Sequence, residues 1–485
     1  MVNRVKALKF HTNHELVKYY NSHKGLSLSE IYKNIQQNFG IQITTNKGVV
    51  GQVLEALVGN VPNSNPNADI ENLGVELKVL PLRKVSNRLQ PKERSKIKSL
   101  NYNTIVNDQW MNSSVRKKMS TILFLMYEQP IGLSFKDWTE DGFVFKGCLL
   151  YELKNRQEEI VEEDWVNIQS KVINDDAHNI SEGDSLILGA CTSGTGKDQV
   201  YGKNGFKAKQ RSYALKHSYL KQFYFESNGI KYASLKRSKK VDTKSYLLRE
   251  FNAKLKGKTL DQLASEYNVA FSSNAKSSFS LLINRILKVK DKIRIKEIEL
   301  LDMNIKTVPV NSEMKPWESM SFPKFSLIEI LDERWDNTLE DENDNQAALH
   351  SFINRPFLFI PVIKNKIKTK GGLKFEHWTN WRVGKTVYWR PGSTQLNDIK
   401  KEWLYAQNII KQGVEVKMVS HGKTKRQENN LLKAKNTKFI HIRPHARDAK
   451  DFDIPFKNQT GIEICWQSFW LNASFIHKIL LTEFS

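Results

Sequence analysis

The chain is poor in cysteine, in long apolar runs and, relative to its bases, in acids. Its three cysteines, Cys148, Cys191 and Cys465, are odd in number, widely spaced and free of any C-x-x-C pair. That excludes a disulfide framework and a thiolate zinc site and leaves buried reduced thiols. The longest apolar runs, Thr121 to Tyr127 and Pro356 to Ile363, fall far short of the ~20 residues a membrane helix needs. The start, MVNRVKALKFHTNHELVKYY, is amphipathic and lacks the apolar block of a secretory signal, so the cytoplasm is the expected location. Low-complexity tracts are missing as well, and a 40% hydrophobic, 10% aromatic composition describes ordered protein.

Positive charge is what the chain has in excess. Against 52 Asp+Glu stand 75 Lys+Arg, a formal net charge of +23. Such a surplus attracts phosphate chains at long range and releases their counterions, so nucleic acid is the expected partner. No basic amphipathic helix stands apart to favour a membrane surface. At roughly 100–200 residues per domain, the 485 residues hold several domains, each able to bury a core.

Two halves carry the same marks in the same order. LSLSEIYKNIQQNFG from Leu26 has a counterpart in TLDQLASEYNVAFS from Thr259, and GVVGQVLEAL from Gly48 in SSFSLLINRI from Ser277. NLGVELKVLPL from Asn72 aligns with LLDMNIKTVPV from Leu300, and LSFKDW from Leu133 with LKFEHW from Leu373. DWVNIQ from Asp164 pairs with EWLYAQ from Glu402, LILGACTSGTGKD from Leu186 with FIHIRPHARDAKD from Phe439, and SYLKQF from Ser218 with FWLNAS from Phe469. Two homologous domains with different loop lengths follow, over residues 1–230 and 259–485, with the Lys-rich residues 231–258 as linker. Loops are expected from Arg83 to Asn103 and, acidic, from Leu339 to Asn345. Short alternating strands such as VELKVL among helical patterns give each half a mixed α/β character, a sheet flanked by helices.

In Gly74-Val75-Glu76-Leu77-Lys78-Val79-Leu80 the period of two puts Glu76 and Lys78 on one face of a strand. E-x-K alone is weak, since it recurs at Glu152, Glu313 and Glu415. Only Glu76, however, has an acid seven residues upstream, Asp69; the other triplets have Phe145, Lys306 and Asn408 there. On the preceding amphipathic stretch VVGQVLEALVG, Glu55 is the single charged residue. Three carboxylates and a lysine are what metal-assisted phosphodiester hydrolysis requires: hard Mg²⁺ prefers oxygen ligands, bridges the scissile phosphate and acidifies a water, while a lysine orients it and offsets developing charge. Asp69 and Glu76 are therefore expected as direct ligands, Glu55 as a ligand or its anchor, and Lys78 as the catalytic cation.

G-Q-x-L-E followed by D-x6-E-x-K within L-G-V-E-L-K-x-x-P resembles the PD-(D/E)xK nucleases of the MutH type. The doubled arrangement resembles the GATC-cutting type II restriction endonucleases built of tandem MutH-like domains, and the resemblance covers nearly the whole chain. It implies the restriction-endonuclease-like fold in each half and Mg²⁺-dependent hydrolysis of double-stranded DNA at GATC, cut before the G. It further implies a cognate DNA methyltransferase as companion, and a monomer in solution that pairs on DNA. The second copy has Asn304 at the position of Glu76 and approximately Asn284 at that of Glu55, with Lys306 opposite Lys78 and Glu297 in place of Asp69. Without two of its anionic ligands that copy is expected to bind DNA without cutting, as the family's allosteric effector domain.

For DNA contact, Lys207, Lys209, Arg211 and Lys216 lie in GFKAKQRSYALKHSYLKQF, and the family's [FS]-Y-L-K tyrosine corresponds to Tyr219. Arg443, His445, Arg447 and Trp470 occupy comparable places in the second half. Gly194-Thr195-Gly196-Lys197 lacks the spacing of a phosphate loop, and Pro444 argues against His441 and His445 as a helical metal pair. Two other functions remain open at this point: a MutH-type mismatch-repair nicking endonuclease, for which one catalytic domain suffices, and a non-catalytic DNA-binding protein.

Overall fold

The computed structural model describes residues 7–482 apart from 44–47, 61–66, 86, 131–132, 134, 182, 184, 194–197, 202–204, 237–241, 272–275, 292, 336–345, 370–371, 422–423 and 449. The described residues fall into two compact units, one through Lys231 and one from Tyr232 onward. Both are mixed α/β, with a mixed sheet flanked by helices.

In the first unit the helices Asn13–Ser22, Leu28–Phe39 and Val49–Ala56 come first. Ser27 and Glu30 close a reciprocal capping box at the start of the second, and Gly40 ends it in the left-handed conformation. The main sheet runs Arg88–Pro91, Glu76–Val85, Thr121–Glu128, Val144–Glu152. Its central pair is parallel, Glu76 facing Ile122, and both outer pairings are antiparallel. Thr121–Glu128 is the interior strand and is buried over most of its length, which accounts for its uninterrupted apolar run. Leu16, Tyr20, Leu28 and Ile31 from the helices pack with Val75, Leu77, Leu123 and Phe145 from the sheet. A smaller antiparallel sheet runs Ser95–Ser99, Arg211–Leu215, Leu188–Thr192, its last two strands coming after the long helix Arg156–Ile173.

The second unit repeats the plan. Thr259 and Gln262 form the capping box, Asn304–Val310 runs parallel to Phe357–Ile363 with Asn304 facing Phe357, and Ser393–Gln412 is the long helix. Met320–Phe325, Gln467–Leu471 and Ile440–Pro444 build the smaller antiparallel sheet. Its departures include the hairpins Lys366–Thr369 with Gly372–Phe375 and Val416–His421 with Thr424–Asn429, and two short strands, Arg382–Val383 and Val387–Trp389, where the first unit has the single strand Val144–Glu152.

Two sequence expectations need correction. Residues 231–258 are not a tether along their length: Thr243–Leu255 is a helix whose Leu247, Phe251 and Leu255 are buried in the core of the second unit. These apolar residues recur every four positions, a helical stripe interrupted by Arg249, Glu250 and Lys254. The span Arg83–Asn103 likewise contains the strands Arg88–Pro91 and Ser95–Ser99. The acidic stretch 339–345 and Gly194 to Lys197 lie outside the described residues. Among the described residues no helix is long and apolar enough to cross a membrane.

Candidate functional site

Glu76 opens its strand, and the chain just before it makes a single 3-10 turn, Glu71–Leu73, closed by Gly74 at φ 63°. Only glycine adopts that left-handed conformation without steric cost. The turn folds Asp69 back onto the strand, where its Oδ2 accepts a hydrogen bond from the Leu77 amide at 2.7 Å. Asn60 Nδ2 steadies the approach by donating to the Asp69 carbonyl at 2.9 Å. Strand alternation brings the Lys78 ammonium to 2.8 Å from Glu76 Oε1. Glu55 joins from the helix Val49–Ala56, which packs its Val50, Val53 and Leu54 into the same core.

Lys118 completes the cluster, and sequence reasoning missed it. It sits in the helix Ser114–Met119, directly before the strand that pairs in parallel with Glu76–Val85, and its Nζ reaches the same Glu76 oxygen at 3.1 Å. The available signal was its position three residues before the start of an apolar strand, which has meaning only once the parallel register is known.

The carboxylates sense one another. Burial first, and then the negative charges of Asp69 and Glu76, push the Glu55 carboxyl up to about 7 against the opposing pull of Lys78. Asp69 is raised by burial and by Glu76, though the Leu77 amide counters part of this. Burial would raise Glu76 too, but Lys78 and Lys118 outweigh it and hold the group below its ordinary value. The result is an ionised Glu76 beside a Glu55 poised to exchange a proton near neutral pH. Among the described residues no group of three or more Asp, Glu, His or Cys side chains is drawn together closely enough to hold a metal ion as it stands, Glu55, Asp69 and Glu76 included. The donor set is nevertheless all oxygen, as a hard divalent cation prefers, and neutralising the mutual repulsion of the three acids would favour its entry.

The second unit lacks this chemistry. By register Asn304 stands at the place of Glu76 and Lys306 at that of Lys78. Asn284 Nδ2 donates to the Ile293 carbonyl at 3.3 Å. Glu297 stands at the place of Asp69: Gly74 and Asp302, both at positive φ, donate their amides to the carbonyls of Glu71 and Glu299, and the next amides, of Val75 and Met303, go to the carbonyls of Ile70 and Ile298. The Glu297 carboxylate accepts the Leu235 amide at 3.0 Å, anchoring the start of the unit.

The expected DNA contacts divide. Lys207 is exposed on the hairpin Asp198–Tyr201 with Phe206–Lys209, and Lys209 is half-buried on the same strand. Arg211 is half-buried, its Nη1 donating to the Ala190 carbonyl at 2.9 Å. Lys216 and Tyr219 were expected at the DNA and are instead interior. The Lys216 ammonium donates to the Ser185 carbonyl at 2.5 Å. Tyr219 is 2% exposed, its hydroxyl accepting from Gln157 at 2.6 Å and its ring stacked on Phe223. In the second unit Arg443 lies 4.9 Å over the Trp470 ring, and His445 is 5.9 Å from it. Arg447 is exposed and pairs with Asp448 at 3.1 Å. His441 is buried with Nδ1 2.5 Å from Asn472 Oδ1, a structural position.

Residues 58–164, which include Asp69, Glu76, Lys78 and Lys118, match the family model for the DNA mismatch repair enzyme MutH. Over 486 aligned residues the chain is 26% identical to the type II restriction enzyme Sau3AI of Staphylococcus aureus, covering 92% of this chain and 94% of the relative. The DNA mismatch repair protein MutH of Buchnera aphidicola is 27% identical over 165 residues, 34% of this chain and 72% of that protein. MutH of Shewanella oneidensis is 32% identical over 114 residues, 24% of this chain and 50% of its own. The chain thus carries a MutH-family domain in its first unit and, over nearly its whole length, is a MutH-like homologue of a type II restriction endonuclease.

Proposed function

We propose that this protein is a Mg²⁺-dependent type II restriction endonuclease whose first unit hydrolyses double-stranded DNA at GATC, cutting before the G and leaving 5′-phosphate and 3′-hydroxyl ends. Its second unit binds a second DNA site as an allosteric effector. The observation that carries the reading is the asymmetry between the units: Glu76 is held by two lysines beside Asp69 and Glu55, and the same register in the second unit holds Asn304 and Lys306. Similarity to a type II restriction enzyme over 92% of the chain supports the reaction class. The GATC site, the cognate methyltransferase and the monomer that pairs on DNA rest on the family resemblance described above.

Bound among the three carboxylates, Mg²⁺ would supply charge neutralisation at the scissile phosphate and acidify a water. Asp69 and Glu76 present one carboxylate each, with Asp69 fixed by the Leu77 amide and Glu76 kept ionised by Lys78 and Lys118. Glu55, whose carboxyl is pushed up to about 7, would serve as a third oxygen donor once deprotonated. The two ammonium groups are positioned to offset charge as it develops on the phosphate.

The test is incubation with unmethylated plasmid, with and without Mg²⁺, and sequencing of fragment ends. Discrete metal-dependent fragments ending at GATC are expected; binding without cleavage overturns the assignment. A mismatch-repair nickase is the second reading, because the MutH match is confined to residues 58–164. Strand nicking that depends on an added mismatch-repair activator would favour it, whereas the complete second unit counts against it. Effector action predicts faster cutting of two-site than of one-site plasmids, and equal rates would remove it.

A further inference from the structure

One connection of the main sheet lies at the same place in both units. Glu128 ends its strand opposite Leu82, as Ile363 ends its own opposite Val310. Beyond the connection, Val144 and Arg382 bridge the capping-box residues Ser27 and Thr259. Residues 129–143 therefore correspond to residues 364–381. The first stretch carries Lys136 against Asp137, Glu140 and Asp141, and the second carries Lys364, Lys366, Lys368, Lys370 and Lys374 against Glu376, so a charge of −2 becomes +4.

The fold of the stretch changes with its charge. In the first unit it includes the 3-10 turn Phe135–Asp137, with Trp138 buried and Leu133 packed against the core. In the second it rises as the hairpin Lys366–Thr369 with Gly372–Phe375. Leu373, which stands for Leu133 in the repeated L-x-F-x-x-W pattern, is 70% exposed, and Ile367 is 49% exposed. Lys368 lies across the ladder from Leu373 and Lys374 across from Ile367, so neither lysine meets an acid there. The base of the hairpin is fixed: the Asn365 amide donates to the Glu376 carboxylate at 3.0 Å and the Glu376 amide to the Asn365 carbonyl at 3.0 Å. Lys366 Nζ lies 4.7 Å from the centre of the Trp317 ring, which is edge-on to Phe375 at 5.2 Å.

Lysines alone would guard the free edges of such a hairpin against pairing with another strand. Leucine and isoleucine held out beside them do not serve that end, and exposed apolar groups gathered on one projection mark a contact surface. A second copy of this chain would set lysine against lysine, which repels. Duplex DNA satisfies both features: a two-stranded ribbon fits the major groove, cations along it meet phosphates, and an apolar side chain meets a thymine methyl.

We propose that the hairpin Lys366–Phe375 is a DNA-contacting ribbon of the second unit, with Lys368 and Lys374 on phosphates and Leu373 directed into the groove between them. This rests on the reading that the second unit binds DNA, and it names a surface that does so. The matching connection of the first unit, acidic and folded onto its core, takes no part.

The test uses the full chain in a Glu76→Ala background and a labelled GATC-containing duplex. Leu373→p-benzoylphenylalanine is expected to capture the duplex on irradiation, and the same photoreactive residue at Leu133 is not. Lys368→Gln with Lys374→Gln should weaken binding several-fold and lower the salt dependence of log K by about 1.8, the signature of two lost phosphate contacts. Both lysines are exposed, so the double variant should keep its circular dichroism spectrum. No capture of DNA at position 373, capture of a second protein chain in its place, or a double variant with unchanged affinity and salt slope overturns the ribbon. Arg443→Ala measured alongside separates the two levels. If it weakens binding while position 373 captures nothing, the ribbon fails and DNA binding by the second unit stands; if it too leaves binding unchanged, both fall.

Discussion

Asp164 and Glu402 perform one task in two units: the Asp164 carboxylate accepts the amides of Leu186, Ile187 and Leu188, and the Glu402 carboxylate those of Lys438, Phe439 and Ile440. Five residues later, Gln169 donates to the carbonyls of Ile105 and Asp108, and Gln407 to those of Ile330 and Glu333. The tryptophan that follows each acid meets a second tryptophan, Trp165 with Trp110 and Trp403 with Trp335. The repeated D/E-W-x-x-x-Q signature is thus a scaffold device that orients the turn into the smaller sheet. It persists in both units because each fold needs it, whereas Glu76 of the first unit is matched by Asn304 in the second.

Asp164→Ala should therefore destabilise the first unit by roughly 3 kcal/mol, since it strands three buried amides that each cost on the order of 1 kcal/mol or more. Glu402→Ala should cost less, because its side chain is only half-buried. Thermal denaturation of the two variants checks this; equal melting temperatures for Asp164→Ala and wild type would show that the turn holds itself.

Glu76→Ala should abolish cleavage while sparing DNA binding, as it removes an anionic donor and leaves Lys78 and Lys118 facing the phosphate. Lys118→Ala should lower kcat by about a hundredfold or more with little change in KM, the pattern of a group acting in the transition state. Glu76 also loses one of the two cations that hold it ionised, so the acid limb of the rate profile should move to higher pH. Cleavage kinetics with saturating Mg²⁺ are the measurement, and a full-rate Lys118→Ala enzyme would remove the lysine from the site.

Much of this site was legible because its acids lie close together in the chain. Asp69, Glu76 and Lys78 span one turn and the start of one strand, and local alternation suffices to place them. Lys118 reaches Glu76 across 42 residues through a parallel register, and no local pattern encodes that. Lys216 and Tyr219 mislead in the opposite direction. They sit at a strand-to-helix junction where a lysine can spend its charge on the Ser185 carbonyl and a tyrosine its hydroxyl on Gln157. In a string of letters that junction resembles any basic, aromatic DNA-reading segment. The helix Thr243–Leu255 was obscured for a related reason, its buried stripe being interrupted by Arg249, Glu250 and Lys254 and following the Lys-rich run Lys236 to Lys240 in the sequence.

The raised Glu55 carboxyl makes a signed pH prediction. Its folded value of about 7 exceeds that of an unfolded glutamate, so the metal-free protein loses stability as pH rises from the ordinary carboxylate range through 7. Glu55→Gln should remove this loss, making the protein more stable than wild type in EDTA at pH 8 by roughly 3 kcal/mol and converging with it near pH 4. For the wild type, apparent Mg²⁺ affinity should fall about tenfold per pH unit below 7, because one proton must leave before Glu55 can ligate. Isothermal titration with Mg²⁺ between pH 6 and 8 measures it, and a flat profile would exclude Glu55 as a ligand.

The divided fate of the DNA candidates gives a paired test, best run in a Glu76→Ala background so that no substrate is consumed. Arg443 lies over the face of Trp470 with His445 beside it, an arrangement that presents a planar cation and an aromatic surface together. Arg443→Ala should weaken duplex binding several-fold and lower the salt dependence of log K by about 0.9, the signature of one lost phosphate contact. Should Arg443 read a base edge instead, affinity falls only for the cognate sequence and the salt slope holds. Tyr219→Phe should do the reverse: the hydroxyl bonded to Gln157 is buried, so DNA affinity stays within about twofold while the melting temperature drops by the equivalent of roughly 1 kcal/mol. Fluorescence anisotropy at two salt concentrations, with thermal melts of the same samples, separates these outcomes. A Tyr219→Phe protein that binds DNA tenfold more weakly without loss of stability would return that tyrosine to the DNA interface.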